Sequence, residues 1–223
     1  MHHSWSTMRV RGTAALLACV ALAALTHGVT AGTWWPAVDV AAVRWVHAHG
    51  DAAAVSFMLL VSRVGGPSAT SVYAVFLVIV LALRHRYGTA VGVACIVYGG
   101  AGMNVLLKHA VHRGRPVLDE PLVNLPTYSF PSGHAAAVTI FGGLLITMLM
   151  RATPGIRPSG PVVVAVSAWM VMVCASRVYL GAHYPSDILA GVLEGIAWLL
   201  IASVCLDALH VPLTWPTTSS SGP

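Results

Sequence analysis

The sequence predicts an all-α polytopic membrane protein, a six-transmembrane-helix bundle with an interfacial amphipathic segment between helices 1 and 2. Of its 223 residues, 57% are hydrophobic and only 9% are charged, whereas about a quarter of the residues of a soluble domain are charged. The mean hydropathy is +0.79. Apolar runs recur at about the 20-residue length that crosses a bilayer as a helix. Inside lipid such runs must be helical, because the backbone has no other hydrogen-bond partners there.

Six apolar runs are predicted to be the spans. They cover residues 12–31, 64–83, 89–107, 135–151, 161–178 and 187–206. The first run, preceded by Arg9 and Arg11, also fits a signal peptide that is cleaved near residue 31. An uncleaved first helix is the preferred interpretation, and either choice leaves the same loops on the same side.

The segment 36–62 is predicted to lie at the membrane interface. Valines recur in it at helical spacing, charged residues interrupt it, and tryptophans of the kind that favour the bilayer surface lie in and just before it. This pattern favours an amphipathic helix followed by a short apolar stretch, 52–61, that dips into the bilayer without crossing it. Residues 1–211 are predicted to form one domain, and the tail 212–223, PLTWPTTSSSGP, has the composition of a disordered segment.

Charge and cysteine usage argue against several classes of protein. The formal net charge is +5, but the twelve basic residues are scattered, so nucleic-acid binding is not predicted. The four cysteines lie inside apolar runs without metal-ligand spacing. Neither disulfides nor a zinc site is therefore predicted.

Loop charges alone do not orient the bundle. Arginine pairs at 9 and 11, 84 and 86, and 151 and 157 share one predicted side, and the other side also holds six basic residues. The tie is broken only if Lys108, Arg115 and Arg177 are held on their side by chemistry. The positive-inside rule then places the arginine pairs in the cytoplasm and the other loops outside.

Three polar stretches fall on this second side of the membrane. They are KHAVHRGRP at 108–116, PSGH at 131–134 and SRVYLGAHYPSD at 176–187. Among their residues are three candidate cations, Lys108, Arg115 and Arg177, two candidate histidines, His134 and His183, a carboxylate and a helix N-terminus. This inventory is suited to binding and cleaving a phosphate ester.

The pattern resembles the type 2 phosphatidic acid phosphatase superfamily, whose signature is K-x6-RP, then PSGH, then SR-x5-H-x3-D. Every signature position is matched, by Lys108, Arg115, Pro116, Pro131, Ser132, Gly133, His134, Ser176, Arg177, His183 and Asp187. The resemblance implies an integral membrane phosphatase of a lipid phosphate or diphosphate. Candidates are a polyprenyl diphosphate, with an undecaprenyl-type diphosphate first, phosphatidic acid and phosphatidylglycerol phosphate. It further implies the bacterial cytoplasmic membrane, with the site facing the extracytoplasmic side.

The expected phosphate-binding residues are Lys108, Arg115, Ser132, Gly133 and Arg177. The guanidinium fork binds two phosphate oxygens, and a helix N-terminus offers free N–H groups. Each feature also has a simpler interpretation. The Pro-Ser-Gly sequence suits plain helix capping, and the only lysine of the chain suits a side chain that reaches from the apolar helix to the interface.

The expected catalytic residues are His183, His134 and Asp187. The resemblance implies that His183 is the nucleophile and forms a phosphohistidine. Asp187, four residues on, would hold its tautomer, although an acid near a helix start is also favoured by the helix dipole. His134 would protonate the leaving group and then help to activate water. Cations and N–H dipoles take the place of a metal here, so neither a metal nor a cofactor is expected.

Two polar residues inside the spans stay open at this point. Glu194 either extends a polar pathway from the site or packs as a hydrogen-bonded acid between helices. Asn104 precedes Lys108 by one turn and either orients it or bonds another helix.

Other functions remain compatible with the motifs. One alternative is a transporter or binding protein that recognises an anionic lipid without hydrolysis. A lipid phosphotransferase on the same scaffold, with an alcohol in place of water, is a second, and vanadate-dependent peroxidase chemistry is a third that the membrane spans disfavour.

Overall fold

The computed structural model describes residues 2–33, 35–119, 121–123, 125–152, 160–211 and 213. Its regular elements in these ranges are all helices, which confirms the predicted class. They are α1 His2–Thr30, α2 Trp35–Ala48, α3 Ala52–Gly65, α4 Pro67–Leu83, α5 Tyr87–Val111, α6 Gly133–Ala152, α7 Gly160–Tyr179 and α8 Pro185–Ala208.

The described ranges hold six segments that are long and apolar enough to cross a membrane. They are Thr7–Thr30, Ala53–Leu83, Tyr87–Val111, Gly133–Arg151, Gly160–Tyr179 and Pro185–Ala208. The structure differs from the prediction for 52–61, because this stretch belongs to α3 and continues into the second span. The helix is interrupted only at Gly66, which is extended, and it restarts at Pro67. Proline lacks the N–H that continues a helix but suits a first helical position.

Helix α2 is the amphipathic segment between the first two spans. Trp45 and Val38 are exposed on it, whereas Val43 is buried. The sequence pattern treats Asp39 as a polar interruption of the apolar face. In the structure Asp39 is instead completely buried. Its carboxylate therefore lies inside the bundle and not at the membrane surface.

Helix α8 lies at the centre of the bundle, where it contacts α1, α5, α6 and α7. Trp198, Leu199 and Leu206 of α8 pack against a buried apolar cluster drawn from α4, α5 and α6. Lipid tails are as apolar as these side chains, so close packing, rather than escape from water, stabilises such contacts. Helix α7 packs on the other side of α6 and against α3.

A glycine sets how closely α8 approaches the start of α6. A Cβ added at Gly191 would lie 2.5 Å from the backbone oxygen of Ser132, so only glycine fits there. This contact brings the N-terminal ends of α6 and α8 together on one side of the bundle. Both ends carry residues of the predicted site.

The opposite end of α8 is held by an ionic cluster. Asp207 accepts hydrogen bonds from Arg151 at 3.0 Å and from Arg11 at 2.6 Å. The predicted tail falls mainly on 214–223, outside the described residues, as does Arg157. Leu213, within the predicted tail, is buried in the apolar core.

Candidate active site

A cavity of about 320 Å³ brings the three polar stretches together. Lys108, Arg115, Gly133, His134 and His183 all line it. They come from the end of α5, the loop after it, the start of α6 and the loop before α8. Segments 75 residues apart in the sequence therefore converge at one point, as the predicted topology requires.

The rest of the cavity wall is mainly apolar. It is formed by side chains and glycines of α4, α5 and α6, among them Pro67, Val97, Gly100, Ala101, Val105 and Ile140. The cavity thus has a basic and imidazole-lined end and a wall of hydrocarbon. This combination suits an amphiphile with an anionic head.

His183 lies between a carboxylate and a guanidinium. Its Nδ1 is 3.5 Å from Asp187 Oδ2, and its Nε2 is 3.3 Å from Arg115 Nη1. The 3.5 Å separation is longer than a good hydrogen bond, and His183 Nδ1 has no nearer partner among the described residues. The carboxylate favours the tautomer with the proton on Nδ1, which leaves the Nε2 lone pair beside the cation.

Burial keeps the His183 imidazole neutral. The residue is 2% exposed, and this burial lowers the pKa of His183 from 6.5 to about 4. The nearby Asp187 acts against the shift, while Arg115 and Arg177 add to it. A neutral imidazole whose Nε2 carries no proton is the form that can attack phosphorus.

His134 opens α6 and is held from the side by α3. Its Nε2 is 3.3 Å from Ser62 Oγ, and Ser62 Oγ also accepts a hydrogen bond from Arg177 Nη1. Arg177 thus reaches Ser62 beside His134, and its buried Nε has no hydrogen-bond partner among the described residues. Ser62 and Arg177 fix the orientation of the His134 ring.

Lys108 and Arg115 bind the loop that leads to the Pro-Ser-Gly sequence. Lys108 Nζ donates to the carbonyls of Tyr128 at 2.8 Å and Pro131 at 2.7 Å. Arg115 donates to the carbonyls of Thr127 at 2.7 Å and Ala182 at 2.6 Å. Burial lowers the pKa of Arg115, with Asp187 acting in the opposite direction, yet a guanidinium stays protonated at neutral pH. The two cations order the loop and face the cavity together.

The N-terminus of α6 presents backbone rather than a strong side-chain cap. Ser132 is fully buried, and its Oγ lies at a marginal 3.5 Å from the Ala135 N–H. Ser132 N–H donates instead to the Asp187 carbonyl at 2.9 Å. Gly133 lines the cavity and Ser132 does not. The first N–H groups of a helix have no partner within it, so the start of α6, which borders the cavity at Gly133, is suited to an anion.

Asn104 and Glu194 bond each other between helices. Asn104 Nδ2 donates to Glu194 Oε2 at 2.7 Å, and both side chains are buried. Asn104 also lines the cavity. The sequence left open whether Asn104 orients Lys108 or bonds another helix. The structure shows the interhelical hydrogen bond, and Glu194 is the partner.

Four residues that the sequence analysis did not assign support the two histidines. Ser62 contacts His134, and Asp39, Arg113 and Ser186 form a network around Asp187. Arg113 does follow Lys108 within the first motif, and a charged residue so close to a signature is a usable signal. Asp39 and Ser62 have no such signal, because their contacts are made by helices distant in the sequence.

Comparison with known proteins supports the motif assignment. The family model described as PAP2 superfamily matches residues 86–210. Phosphatidylglycerophosphatase B of Bacillus subtilis (strain 168) is 33% identical over 95 residues, which cover 42% of this chain and 46% of that protein. Decaprenylphosphoryl-5-phosphoribose phosphatase of Mycobacterium tuberculosis is 34% identical over 120 residues, which cover 52% of this chain and 60% of that protein. The chain thus spans about half the length of the curated relatives it matches.

A solved structure shares the fold. The crystal structure of a transmembrane PAP2 type phosphatidylglycerolphosphate phosphatase from Bacillus subtilis matches with a TM-score of 0.79 at 20% sequence identity. The match covers 87% of this chain and 96% of that one. The fold likeness therefore extends well beyond the residues that the family model matches.

Proposed function

The chain belongs to the PAP2 superfamily, and on this premise we propose that it is a membrane-embedded lipid phosphatase with His183 as its nucleophile. The observation that carries the proposal is the composition of one cavity. Two histidines, a lysine and an arginine line the same space as an apolar wall. A phosphate held at the polar end would leave its hydrocarbon chain against α4, α5 and α6.

The first step transfers the phosphoryl group to the protein. His183 Nε2 attacks phosphorus in line, and the bond from phosphorus to the lipid oxygen breaks. His134 gives its proton to that departing oxygen, which is an alkoxide for a monoester and a phosphate for a diphosphate. Asp187 lies on the Nδ1 side of the ring, where a negative charge stabilises the cationic phosphohistidine.

The second step restores the enzyme. Water attacks the phosphohistidine, its proton passes to His134, and the nitrogen–phosphorus bond breaks to release inorganic phosphate. Lys108 and Arg115 face the phosphoryl oxygens, whose negative charge spreads in the transition state. We keep Arg177, Ser132 and Gly133 as proposed phosphate-binding residues; Arg177 also bonds Ser62 beside His134, and Ser132 also bonds the start of α8.

The substrate is proposed to be a lipid phosphate or diphosphate. The named relatives include phosphatases of a phosphatidylglycerol phosphate and of a decaprenylphosphoryl sugar phosphate, so both two-chain and polyprenyl lipids are candidates. An undecaprenyl-type diphosphate stays the first choice. The proposed place is the bacterial cytoplasmic membrane, with the cavity on the extracytoplasmic side.

The test is phosphate release across a panel of lipid phosphates in detergent micelles with EDTA present. The panel contains a short-chain polyprenyl diphosphate, phosphatidic acid and phosphatidylglycerol phosphate. We expect turnover of at least one of them to persist in EDTA, because cations of the protein replace a metal in this mechanism. Turnover that EDTA abolishes would contradict the metal-independent mechanism, and binding without phosphate release would favour a lipid-binding protein.

Variants of the two histidines make the test specific. His183→Ala and His134→Ala should each lower kcat by about 10³-fold or more, since each removes an essential group of the reaction. His85→Ala is the matched control, because His85 is exposed at the end of α4, away from the cavity. A His183→Ala protein that turns over at the wild-type rate would end this assignment.

A further inference from the structure

Helix α2 lies outside the residues that the family model matches, yet it places one carboxylate next to the residues that support the site. Asp39 is completely buried. Its Oδ1 accepts the Ser186 backbone N–H at 3.0 Å, and its Oδ2 accepts Arg113 Nη2 at 2.7 Å and the Ser186 hydroxyl. A buried carboxylate that is fully bonded in this way is held rigidly.

Arg113 connects Asp39 to the pair formed by Asp187 and His183. Its Nη1 donates to Asp187 Oδ1 at 2.6 Å and to Ser186 Oγ at 2.7 Å. The other oxygen of Asp187 accepts the Tyr184 N–H at 2.9 Å and faces His183 Nδ1. A continuous path of hydrogen bonds therefore runs from α2 through Arg113 to the carboxylate behind the nucleophile.

The charges of this path explain why a second carboxylate is useful. An arginine bound to Asp187 alone would orient the carboxylate but would also cancel much of its negative field at His183. Asp39 offers that arginine a second anion at 2.7 Å. The group of two carboxylates and one guanidinium keeps a net negative charge beside the imidazole, at a place where low dielectric strengthens each interaction.

We propose that Asp39 is a positioning residue of the phosphatase reaction: through Arg113 it holds Asp187 in place and preserves the charge that the phosphohistidine needs. The proposal rests on the proposed function. It assigns part of the catalytic support to the interfacial helix α2. Asp39 and Arg113 do not occur among the residues that line the cavity, so the substrate itself does not contact them.

This separation predicts which kinetic constant changes. Asp39→Asn keeps the shape of the side chain and removes its charge. We expect kcat to fall about 10- to 100-fold, as is typical when a group that orients a reacting residue is lost, while KM stays within about twofold. Loss of substrate binding is not expected, since Lys108 and Arg115 are untouched.

The opposite end of α8 supplies the matched control. Asp207, like Asp39, bonds arginines from other helices. It lies 20 residues after Asp187 on the same helix, which corresponds to about 30 Å. Asp207→Asn removes the same charge in a similar ionic cluster and should leave both kcat and KM at the wild-type values.

The experiment measures phosphate release from the lipid of the panel that the wild type turns over fastest, by wild type, Asp39→Asn and Asp207→Asn, each checked for a cooperative thermal transition in detergent. A kcat loss confined to Asp39→Asn supports the proposal. Equal rates in wild type and Asp39→Asn, a change in KM alone, or the same kcat loss in Asp207→Asn would each overturn it.

If Asp39→Asn does not fold, Arg113→Lys replaces it, because lysine keeps the charge between the carboxylates but lacks the fork that bonds both. A folded Arg113→Lys protein with wild-type kcat would also overturn the proposal. Absence of turnover by the wild type on the whole lipid panel would instead refute the proposed function, and the inference with it.

Discussion

The two ends of α8 carry the same kind of ionic cluster in two different environments. At the N-terminal end, Asp39 and Asp187 are at most 1% exposed around Arg113. At the C-terminal end, Asp207 is 26% exposed between Arg11 and Arg151. The first cluster leads to a buried histidine, and the second only joins α1, α6 and α8. Burial and connection to a reacting group, rather than the presence of an ion pair, therefore distinguish a catalytic support from a structural clamp.

The largest expected contrast between the two ends is in stability. Arg113→Ala leaves two buried carboxylates without their cation, which should cost about 3–5 kcal/mol of the free energy of unfolding. Arg151→Ala acts on a partly exposed cluster that keeps Arg11, so about 1 kcal/mol or less is expected. Thermal unfolding of both variants in the same detergent checks this. Equal losses of unfolding free energy in the two variants would show that burial does not make the first cluster more stabilising than the second.

The second expected effect concerns how the stability of the buried end, which holds His183, depends on pH. The pKa of His183 is about 4 in the folded protein and 6.5 as the unperturbed value, so the unfolded chain binds more protons between these limits. The stability due to the neutral imidazole is complete above pH 6.5 and is lost as the pH falls to about 4, by about 3 kcal/mol. This loss is measured as the free energy of unfolding of wild type and of His183→Asn between pH 4 and 7. The slope of unfolding free energy against pH should differ between the two proteins. Parallel curves would contradict the lowered pKa of His183.

A smaller effect is expected at Ser62, which lies beside the other histidine. Ser62→Ala removes the hydroxyl that touches His134 Nε2 and Arg177. We expect kcat to fall by about tenfold, equivalent to 1.4 kcal/mol of transition-state stabilisation, with KM nearly unchanged. Steady-state phosphate release provides the measurement. An unchanged kcat in the folded variant would remove Ser62 from the support of His134.

The smallest effect is expected at Arg11, whose side chain is 28% exposed. Arg11→Gln should change the free energy of unfolding by less than about 1 kcal/mol, and less at high salt, because exposed ion pairs are weak and screened. Unfolding at two salt concentrations checks this prediction. A large and salt-independent loss would mean that the second cluster behaves like the buried one.

The sequence allowed the fold class and the place of the site to be predicted, because both depend on local patterns. Apolar runs specify spans by length alone, and the signature motifs fall at span ends that alternating topology places on one side. The ends of α5 and α6 accordingly bring Lys108 and His134 to one cavity. The second span was predicted over 64–83, whereas in the structure it covers Ala53–Leu83 and is interrupted at Gly66, so neither its start in α3 nor its break was predicted.

The supporting residues could not be predicted, because their contacts join segments distant in the sequence. Asp39 meets Ser186 across 147 positions, and Ser62 meets Arg177 across 115. In the sequence an aspartate between valines indicates the polar side of an amphipathic helix. Only the close packing of α2 against the start of α8 turns it inward, where a cation is available. The phosphate contact that the motif predicts for Arg177 stays a prediction, whereas its bond to Ser62 could not be foreseen from the sequence.

The most direct test of the account is to locate the phosphoryl group during turnover. Wild type and His183→Ala are mixed with the lipid of the panel that the wild type turns over fastest, quenched within milliseconds in alkali, where phosphohistidine survives, and analysed by peptide mass spectrometry. We expect a phosphoryl group on His183 of the wild type and none on the variant. Phosphate attached to another residue, or steady turnover by the variant, would contradict it.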